Sequence, residues 1–411
     1  MKIHFIGIGG IGISAIARMY LAEGNQISSS DRSGSAITKE LSTLGVDVKI
    51  GHDAKNIPPD CELVIYTIAV DSNNPELLEA KRLTIKILSY PQALGELTTK
   101  KKTVAISGTH GKTTTTAMIA KIFLDAGLDP TVIVGSLMNP STNSVQAATN
   151  FIAGKGDYLI VEACEYRRSF LNLHPQILVI TNIDNDHLDY YKDIDDIKSA
   201  FEEIKARVPA DGKIITEKEY SQIALPIKLL APGVHNQKNA QAAIAVALTV
   251  GISEEAARQT LAAFTGTWRR FEFKGQTKVG ALVYDDYAHH PSEIRATLAG
   301  AREAFPNHQI IAIFQPHLYS RTKLLFNDFS TSFKDASEVI LLPIYAAREV
   351  LDPSISSEIL AEAVKKQGIP ARAVANFVTA EKFVRNLGLD EKTLIITIGA
   401  GDVYQIADKL I

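Results

Sequence analysis

The sequence predicts an α/β protein of three domains in series, each built on a largely parallel sheet. Short runs of β-branched residues alternate with helical patterns over almost the whole chain, which is typical of parallel sheets with helical crossovers. The 411 residues also exceed what one hydrophobic core usually accommodates. A basic run at Lys100–Lys102, interpreted as a solvated linker, marks the first boundary. We therefore expect domains at about residues 1–99, 100–267 and 268–411.

The secondary structure of each block follows from its hydrophobic pattern. The first block opens with a strand, a helix and a second strand, expected at Ile3–Ile6, Ile11–Glu23 and Gln26–Ser30. In the second block we expect strands at Thr103–Ser107, Tyr158–Glu162 and Gln176–Thr181, and a closing helix at Asn236–Val250. In the third we expect strands at Ala281–Asp285, Gln309–Gln315, Glu338–Pro343 and Thr393–Ile398, with a helix at Pro291–Ala304.

Composition indicates an ordinary cytoplasmic protein. Apolar residues make up 46% and charged residues 22%, and the net charge of −3 gives no reason to expect nucleic acid as a partner. Two cysteines in so long a chain are typical of a reduced compartment. We find neither a secretion signal nor about 18 consecutive apolar residues, so no membrane insertion is expected.

A first glycine-rich turn, Gly-Ile-Gly-Gly-Ile-Gly at Gly7–Gly12, lies between the first strand and helix. Glycines there let backbone N–H groups approach a diphosphate at the positive end of the helix. Asp31 follows about 20 residues later, where dinucleotide-binding folds place an acid on the ribose. The pattern fits NAD, FAD or a nucleotide-sugar equally well, and the alternative is a packing turn without a ligand.

A second loop, Gly-Thr-His-Gly-Lys-Thr-Thr at Gly108–Thr114, again joins a strand to a helix. Its backbone N–H groups and Lys112 are suited to the terminal phosphates of a nucleotide, and Thr113 to Mg²⁺. Ile106 occupies the place of the first glycine in the standard phosphate-loop motif. The remaining Gly-Lys-Thr core in this context still predicts a phosphate loop.

Several polar residues follow other predicted strands. Glu162 ends an apolar strand, where a carboxylate beside a phosphate loop commonly reaches the metal. His187 could bind a second Mg²⁺ or cap a turn, and Asn236 could be simply an N-cap. His289 and His290 are adjacent, and such pairs more often point to opposite sides than share one task.

Taken together, these ordered motifs resemble the Mur ligase family over nearly the whole chain. Single motifs are weak, but the ordered set is specific. The matching stretches are His4–Gly12, Gly108–Thr114, Glu162–Tyr166, Ser169–Leu171, Thr181–Asp184, Gly233–Asn236, Arg269–Phe271, Asp286–Pro291, Gln315–His317 and Tyr319–Thr322.

The resemblance implies an N-terminal Rossmann-like domain that binds a UDP-sugar, a central ATP-binding phosphate-loop domain and a C-terminal Rossmann-like ligase domain. It implies that Gly9, Gly10, Ile11 and Gly12 contact the diphosphate, with Asp31 and His52 near the nucleoside or sugar. It assigns ATP to Gly108, Thr109, His110, Gly111, Lys112, Thr113, Thr114, Asn236, Asn239, Arg270 and Asp286, and Mg²⁺ to Thr113, Glu162 and His187. It places Tyr287, His289 and Arg321 near an incoming amino acid, and Lys112, Glu162, His187, His289 and Arg321 form the implied catalytic set.

The implied activity is ATP-dependent ligation of L-alanine to the lactyl carboxylate of UDP-N-acetylmuramic acid through an acyl phosphate, in peptidoglycan synthesis. The nearest alternative is a recycling ligase that attaches a tripeptide to the same UDP-sugar. Its first turn usually has Cys where Gly9 stands, so Gly9 favours alanine. An NAD-dependent oxidoreductase would have no use for Lys112, and a non-catalytic scaffold is expected to have lost Lys112, Glu162 or His187. A monomer or homodimer is expected.

The chain departs from the family pattern at three places. Cys164 stands where many relatives have aspartate, and Leu318 where many have arginine, so Arg321 must do more toward the amino-acid carboxylate. The stretch Lys213–Pro232 is short, which predicts a central domain trimmed by one or two hairpins. These departures leave the amino-acid selectivity open but keep the residues of the ATP chemistry.

Overall fold

The computed structural model describes residues 1–138, 149–187, 190–347 and 349–411. Contacts divide the chain into two compact units. The first comprises Met1–Lys228 with Lys238–Phe264, and the second Leu229–Gln237 with Thr265–Ile411. The first unit contains two sheets and the second unit contains one, so the three predicted sheets are present.

The first sheet has five parallel strands in the order β3-β2-β1-β4-β5, the arrangement of a Rossmann-like fold. Its central strands β1 and β4 are mostly buried, and most of their residues are apolar. The elements are β1 Lys2–Ile6, α1 Ile11–Ala22, β2 Gln26–Asp31, α2 Ala36–Thr43, β3 Asp47–Ile50, β4 Leu63–Tyr66, α3 Pro75–Arg82, β5 Lys86–Ser89 and α4 Tyr90–Thr98, with a 3-10 turn at Ala54–Asn56.

The second sheet has six strands in the order β11-β10-β6-β9-β7-β8, and all its pairs are parallel except β7 with β8. Strand β6 is central, between β10 and β9. The elements are β6 Lys102–Ser107, α5 Lys112–Asp125, β7 Thr131–Met138, β8 Thr149–Ile152, β9 Tyr158–Glu162, β10 Ile177–Ile180, α6 Ile194–Lys205, β11 Lys213–Ile215, α7 Glu217–Tyr220, α8 Val234–Thr249 and α9 Glu254–Ala262, with a 3-10 segment at Tyr166–Asn172.

The third sheet, in the second unit, has the order β12-β13-β17-β14-β15-β16, with only the edge strand β12 antiparallel. Its inner strands are buried on both faces, because helices cover both sides. The elements are β12 Glu272–Gln276, β13 Leu282–Asp286, α10 Pro291–Ala304, β14 Gln309–Phe314, α11 Tyr319–Leu324, α12 Phe326–Ser330, β15 Glu338–Leu341, α13 Ser357–Lys366, β16 Ala371–Ala373, α14 Phe377–Arg385, β17 Thr393–Ile398 and α15 Tyr404–Leu410.

The structure confirms the fold class, and most predicted elements begin or end within one residue of their expected ends. The helix expected at Asn236 begins two residues earlier, at Val234, directly after Gly233 at φ +102°. Asn236 therefore lies inside the first turn and does not cap the helix. The strand expected to reach Pro343 ends at Leu341, since proline offers no N–H to a neighbouring strand.

Between Lys213 and the start of α8 at Val234 the chain forms only β11 and the short α7. This stretch therefore has few secondary-structure elements, as its length in the sequence indicates. No helix in the described ranges is both long enough and apolar enough to cross a bilayer.

Candidate functional site

The phosphate loop joins the buried end of β6 to α5, at the carboxyl edge of the second sheet. Gly108 and Gly111 have φ values of +126° and +83°, which residues with a side chain rarely adopt. A Cβ at Gly111 would collide with the side chain of Asn239 on α8. The backbone of Gly111 and the amide of Asn239, both predicted for ATP, therefore lie side by side.

Residues that follow β10 support this loop. Asn182 accepts a hydrogen bond from the His110 N–H at 2.9 Å and returns one from its amide nitrogen to the His110 carbonyl at 2.9 Å. The Thr181 hydroxyl donates to the same carbonyl at 2.6 Å, and the Asp184 N–H donates to the Thr109 hydroxyl at 2.9 Å. The loop is thus fixed by side chains from a neighbouring strand, so its N–H groups are held in one arrangement.

Lys112 lies beside a buried carboxylate that the sequence analysis left without a role. The Lys112 ammonium is 3.0 Å from Glu165 Oε2, and it donates to the carbonyls of Gly108 and Thr109. Glu165 is only 3% exposed, and its Oε1 is 3.6 Å from His187 Nε2. Lys112 follows β6 and His187 follows β10, and both side chains thus lie beside the Glu165 carboxylate.

Electrostatics keep this pair charged. Burial opposes ionisation of Glu165, but the Lys112 charge and the His187 hydrogen bond hold the pKa of the carboxyl below its usual range. Burial likewise opposes protonation of Lys112, but the Glu165 charge outweighs it and raises the Lys112 pKa. Both groups therefore stay ionised at neutral pH, as a lysine that contacts phosphate requires.

The predicted metal donors flank the loop on both sides. Thr113 is the second residue of α5 and is buried. Glu162 ends β9, the strand next to β6, and its Oε1 accepts the Gly135 N–H at 2.9 Å. His187 follows β10, has φ +56° and packs on Tyr166 with ring centroids 4.7 Å apart. The Thr113 hydroxyl and the Glu162 carboxylate are oxygen donors of the kind that Mg²⁺ prefers beside a nucleotide, and His187 would add a nitrogen donor.

The glycine turn of the first sheet is tied to the predicted ribose acid. The Gly9 N–H donates to Asp31 Oδ2 at 2.7 Å, and Gly10 precedes α1, which begins at Ile11. Gly12 packs against the ring of Tyr90 on α4. The Gly9 N–H, one of the amides expected to meet the diphosphate, is therefore engaged by Asp31 in this structure, and the contact fixes the conformation of the turn.

His52 belongs to a buried polar cluster around Glu76, which the sequence analysis missed. Glu76 is fully buried, and its carboxylate accepts hydrogen bonds from the Ser30 hydroxyl at 2.5 Å and the Asn56 amide at 2.7 Å. His52 Nδ1 lies 3.1 Å from the Ser30 hydroxyl and 3.5 Å from Glu76, and His4 contacts the carboxylate from β1. Glu76 therefore connects the end of β2 to the turn that carries His52.

The residues predicted near the amino acid gather at the carboxyl edge of the third sheet. Tyr287 and His289 follow β13, and their rings lie 5.5 Å apart. Arg321 on α11 contacts His317 Nδ1 at 3.2 Å, and the His317 ring lies 6.0 Å from that of His289 and stacks on Tyr345 at 5.6 Å. His317 thus links His289 and Arg321 in one cluster. The sequence analysis did not predict His317 as a site residue.

Asp286 and Arg270 form a second group in this unit. The Asp286 carboxylate accepts the N–H groups of Phe271 at 2.8 Å and Ala288 at 2.7 Å. Burial raises its pKa to about 6, although the Arg270 charge acts in the opposite direction. Arg270 lies over the Tyr287 ring at 5.2 Å, so the predicted nucleotide and amino-acid residues adjoin.

Asn236 also belongs to the second unit, where its amide donates to the Pro232 carbonyl at 2.7 Å. Neighbouring His235 has a pKa lowered by burial to about 4, so its imidazole is neutral at physiological pH. The other predicted adenine contact, Asn239, lies beside the phosphate loop in the first unit.

Three family models match successive parts of the chain. Residues 2–102 match the Mur ligase family catalytic domain, 106–224 the Mur ligase middle domain, and 269–401 the glutamate ligase domain of Mur ligases. These three matches together cover most of the chain.

The chain belongs to the Mur ligase family.

Within the Mur ligases, the chain is 40% identical to the UDP-N-acetylmuramate–L-alanine ligase of Clostridium acetobutylicum, with 100% of this chain and 97% of that protein covered. The alignment spans 455 positions against 411 residues here, so the relative has residues that this chain lacks. Among solved structures, the UDP-N-acetylmuramate–alanine ligase of Thermotoga maritima superposes with a TM-score of 0.83 at 30% identity, over 100% of this chain and 98% of that one. A murein peptide ligase from Psychrobacter arcticus shares the Mur ligase fold, with a TM-score of 0.69 at 22% identity over 100% and 98% of the two chains.

Proposed function

We propose that this Mur ligase joins the amino group of L-alanine to the lactyl carboxylate of UDP-N-acetylmuramic acid at the expense of ATP, in the synthesis of peptidoglycan precursors. The observation that carries the proposal is the 40% identity over the whole chain to UDP-N-acetylmuramate–L-alanine ligases, in a chain that keeps the phosphate loop and its Lys112–Glu165 pair. Two free cysteines and a reaction that consumes ATP support a cytoplasmic location.

ATP fits the loop between β6 and α5. Gly108 and Gly111 let the loop pass close to Thr181 and Asn239, where a Cβ would collide, and Lys112 offers a charged donor beside the loop. Thr113, Glu162 and His187 are the proposed Mg²⁺ ligands. Bound there, Mg²⁺ would neutralise phosphate charge during transfer.

Formation of the amide bond requires an activated carboxylate, because a carboxylate itself is a poor electrophile. We infer that the loop positions the terminal phosphate of ATP in line with the lactyl carboxylate, which becomes an acyl phosphate. The neutral amine of alanine then attacks this group and phosphate leaves. An α-amino group has a pKa of roughly 8, so only a modest shift is needed to supply the neutral amine, and a nearby base accepts the proton that the nitrogen loses when the amide forms. His289 is the proposed base in the cluster with His317.

In the same proposal, Arg321 binds the alanine carboxylate and the Tyr287 ring closes the pocket around the small side chain. The guanidinium suits a carboxylate because its N–H groups match the two oxygens. In the first sheet, the glycine turn at Gly9–Gly12, which leads into the N-terminus of α1, binds the diphosphate, with Asp31 and His52 toward the nucleoside or sugar.

The competing proposal is the tripeptide-adding ligase. Gly9 favours alanine, because the tripeptide-adding ligases usually have Cys at this place, and the 40% identity to an alanine ligase also favours alanine. The chain folds like the murein peptide ligase as well, but at 22% identity this likeness supports the shared fold only. An oxidoreductase finds no support in a chain that matches Mur ligase domains throughout.

The deciding measurement is phosphate release by the purified protein with ATP, Mg²⁺, UDP-N-acetylmuramic acid and L-alanine, with each omitted in turn. We expect release only when all four are present, together with a UDP-sugar–alanine product. Release with the tripeptide but not with alanine would transfer the protein to the recycling ligases.

The variant Lys112→Ala separates ATP chemistry from UDP-sugar binding. We expect it to abolish ligation and to leave the affinity for the UDP-sugar nearly unchanged, because Lys112 belongs to the second sheet and the glycine turn to the first. Lys155→Ala, an exposed lysine outside the loop, is the matched control. Equal loss of both properties in Lys112→Ala would contradict the assignment of the two sheets.

A further inference from the structure

Tyr90 stands where the two sheets of the first unit meet, and neither the sequence motifs nor the proposed function uses it. It is the first residue of α4, which begins directly after β5 at the carboxyl edge of the first sheet. Its side chain is half-buried against the core of that unit. Ser89 and Gln92 form a capping box, and Pro91 fixes the first turn of the helix, so the position of Tyr90 is well defined.

The phenol ring lies directly against the glycine turn. A Cβ at Gly12 would lie 2.7 Å from the Tyr90 hydroxyl oxygen and 2.8 Å from the ring carbon that carries it. Both distances are shorter than a Cβ tolerates, so Gly12, the last glycine of the turn, makes room for this hydroxyl. The hydroxyl therefore reaches the start of α1, where the N–H groups proposed for the diphosphate are found.

The other side of Tyr90 faces the second sheet. Asn150 on β8 donates hydrogen bonds to the Ile11 carbonyl and to the Ser14 hydroxyl, so the start of α1 is docked on this sheet. Gly95 on α4 packs tightly against the carbonyl of Asn172. The glycine turn and the acids that follow β9 therefore belong to one packed unit, with Tyr90 between them.

The chemistry of the hydroxyl suits a donor. Burial raises the pKa of Tyr90, and the negative charges of Cys164, when ionised, and Glu162 act in the same direction. The phenol therefore keeps its proton at neutral pH. Within the described ranges its hydroxyl makes no hydrogen bond, and because the side chain is only half-buried, the hydroxyl can reach a ligand.

We propose that the Tyr90 hydroxyl donates a hydrogen bond to a phosphate oxygen of the UDP-sugar, on the side of the diphosphate that faces the sugar. Tyr90 is then a substrate-binding residue that fixes the direction in which the sugar and its carboxylate leave the first sheet toward Lys112. This inference rests on the proposed function, because it takes a UDP-sugar as the ligand of the glycine turn.

The test compares Tyr90→Phe with the parent protein by calorimetric titration of UDP-N-acetylmuramic acid, UDP and uridine. We expect affinity for the first two to fall about tenfold and affinity for uridine to stay unchanged, because a hydrogen bond to a charged oxygen is lost. The KM for the UDP-sugar should rise, and the KM values for ATP and alanine should stay within twofold. A merely structural role would alter all ligands or the thermal stability together.

Tyr20→Phe is the matched control, since Tyr20 is a buried tyrosine near the far end of α1. It should leave all three affinities unchanged. Equal affinities for Tyr90→Phe and the parent would overturn the inference, and a loss confined to the complete UDP-sugar would overturn the phosphate contact. If the parent protein neither binds nor ligates the UDP-sugar, the proposed function itself fails, so the two failures are distinguishable.

Discussion

Replacing Glu165 by glutamine should show how much the buried pair with Lys112 contributes to the free energy of unfolding. The substitution keeps the size of the side chain and removes its charge. Lys112, with a side chain only 16% exposed, then retains the carbonyls of Gly108 and Thr109 but loses its counter-ion at 3.0 Å. His187 loses the same carboxylate at 3.6 Å. The charge removed therefore serves two residues of the proposed ATP site.

The expected magnitude follows from distance and burial. Two unit charges 3.0 Å apart attract with about 5 kcal/mol at an effective dielectric constant of about 20. Removing one partner of a fully buried pair typically costs about 3–5 kcal/mol. Lys112 keeps two carbonyl acceptors and some solvent, so we expect Glu165→Gln to lower the free energy of unfolding by about 2 kcal/mol.

The assay is a double-mutant cycle of Glu165→Gln and Lys112→Met, measured by urea unfolding with circular dichroism. Trp268 is the sole tryptophan and lies in the second unit, so its fluorescence follows that unit separately. If the pair is coupled, the double variant should lose about 2 kcal/mol less than the sum of the single variants. Glu202→Gln, an exposed partner of Lys205 on α6, should change little and serves as the control.

The reasoning is refuted if the two losses add to within about 0.5 kcal/mol, because independent sites behave in that way. The ligation assay provides a second reading. Glu165→Gln should lower kcat more than it raises the KM for the UDP-sugar, whose proposed turn lies on the other sheet. The opposite pattern would place Glu165 in sugar binding instead.

Three further predictions concern single residues. Gly111→Ala should raise the KM for ATP at least tenfold, since its φ is +83° and a Cβ would meet Asn239; an unchanged KM would show that the loop relaxes without cost. Burial raises the pKa of Asp286 to about 6, against about 4 in an unfolded chain, so between these values the folded state holds a proton that the unfolded state has lost. The stability of the parent relative to Asp286→Asn should therefore fall by about 3 kcal/mol as the pH rises from about 4 to 6, and a pH-independent difference in urea unfolding would contradict this. Arg321→Ala should raise the KM for alanine far more than that for ATP, with Arg321→Lys in between, and the reverse order in steady-state kinetics would remove Arg321 from the alanine site.

The fold class and most elements follow from local sequence. The strands at Tyr158–Glu162 and Thr393–Ile398 and the helix at Pro291–Ala304 have the predicted bounds, because buried β-branched runs and a first-turn proline act within a few residues. The glycine-containing loop between β6 and α5 could also be predicted, because its glycines and Lys112 lie within five residues of one another. Local signals are weaker at ends such as that of α8, where Gly233 starts the helix before the expected Asn236.

Site residues that depend on distant partners could not be predicted in the same way. Glu165 was visible in a motif, but its role follows from Lys112, 53 residues earlier, and from His187 on the other side of β6. His317 likewise gained its role from Tyr345 and Arg321. No local sequence pattern specifies contacts between residues that are so far apart in the chain.

The sequence by itself therefore determined the three α/β sheets and the two glycine turns, and the ligase chemistry followed from its resemblance to the Mur ligases. Only the tertiary structure decided that Glu165 joins Lys112 to His187, that Glu76 ties His52 to β2, and that Tyr90 lies against Gly12. The physical reason is strand order. Periodicity fixes which residues form a strand, whereas burial of whole sheet faces fixes which strands become neighbours, and so which carboxyl ends share a site.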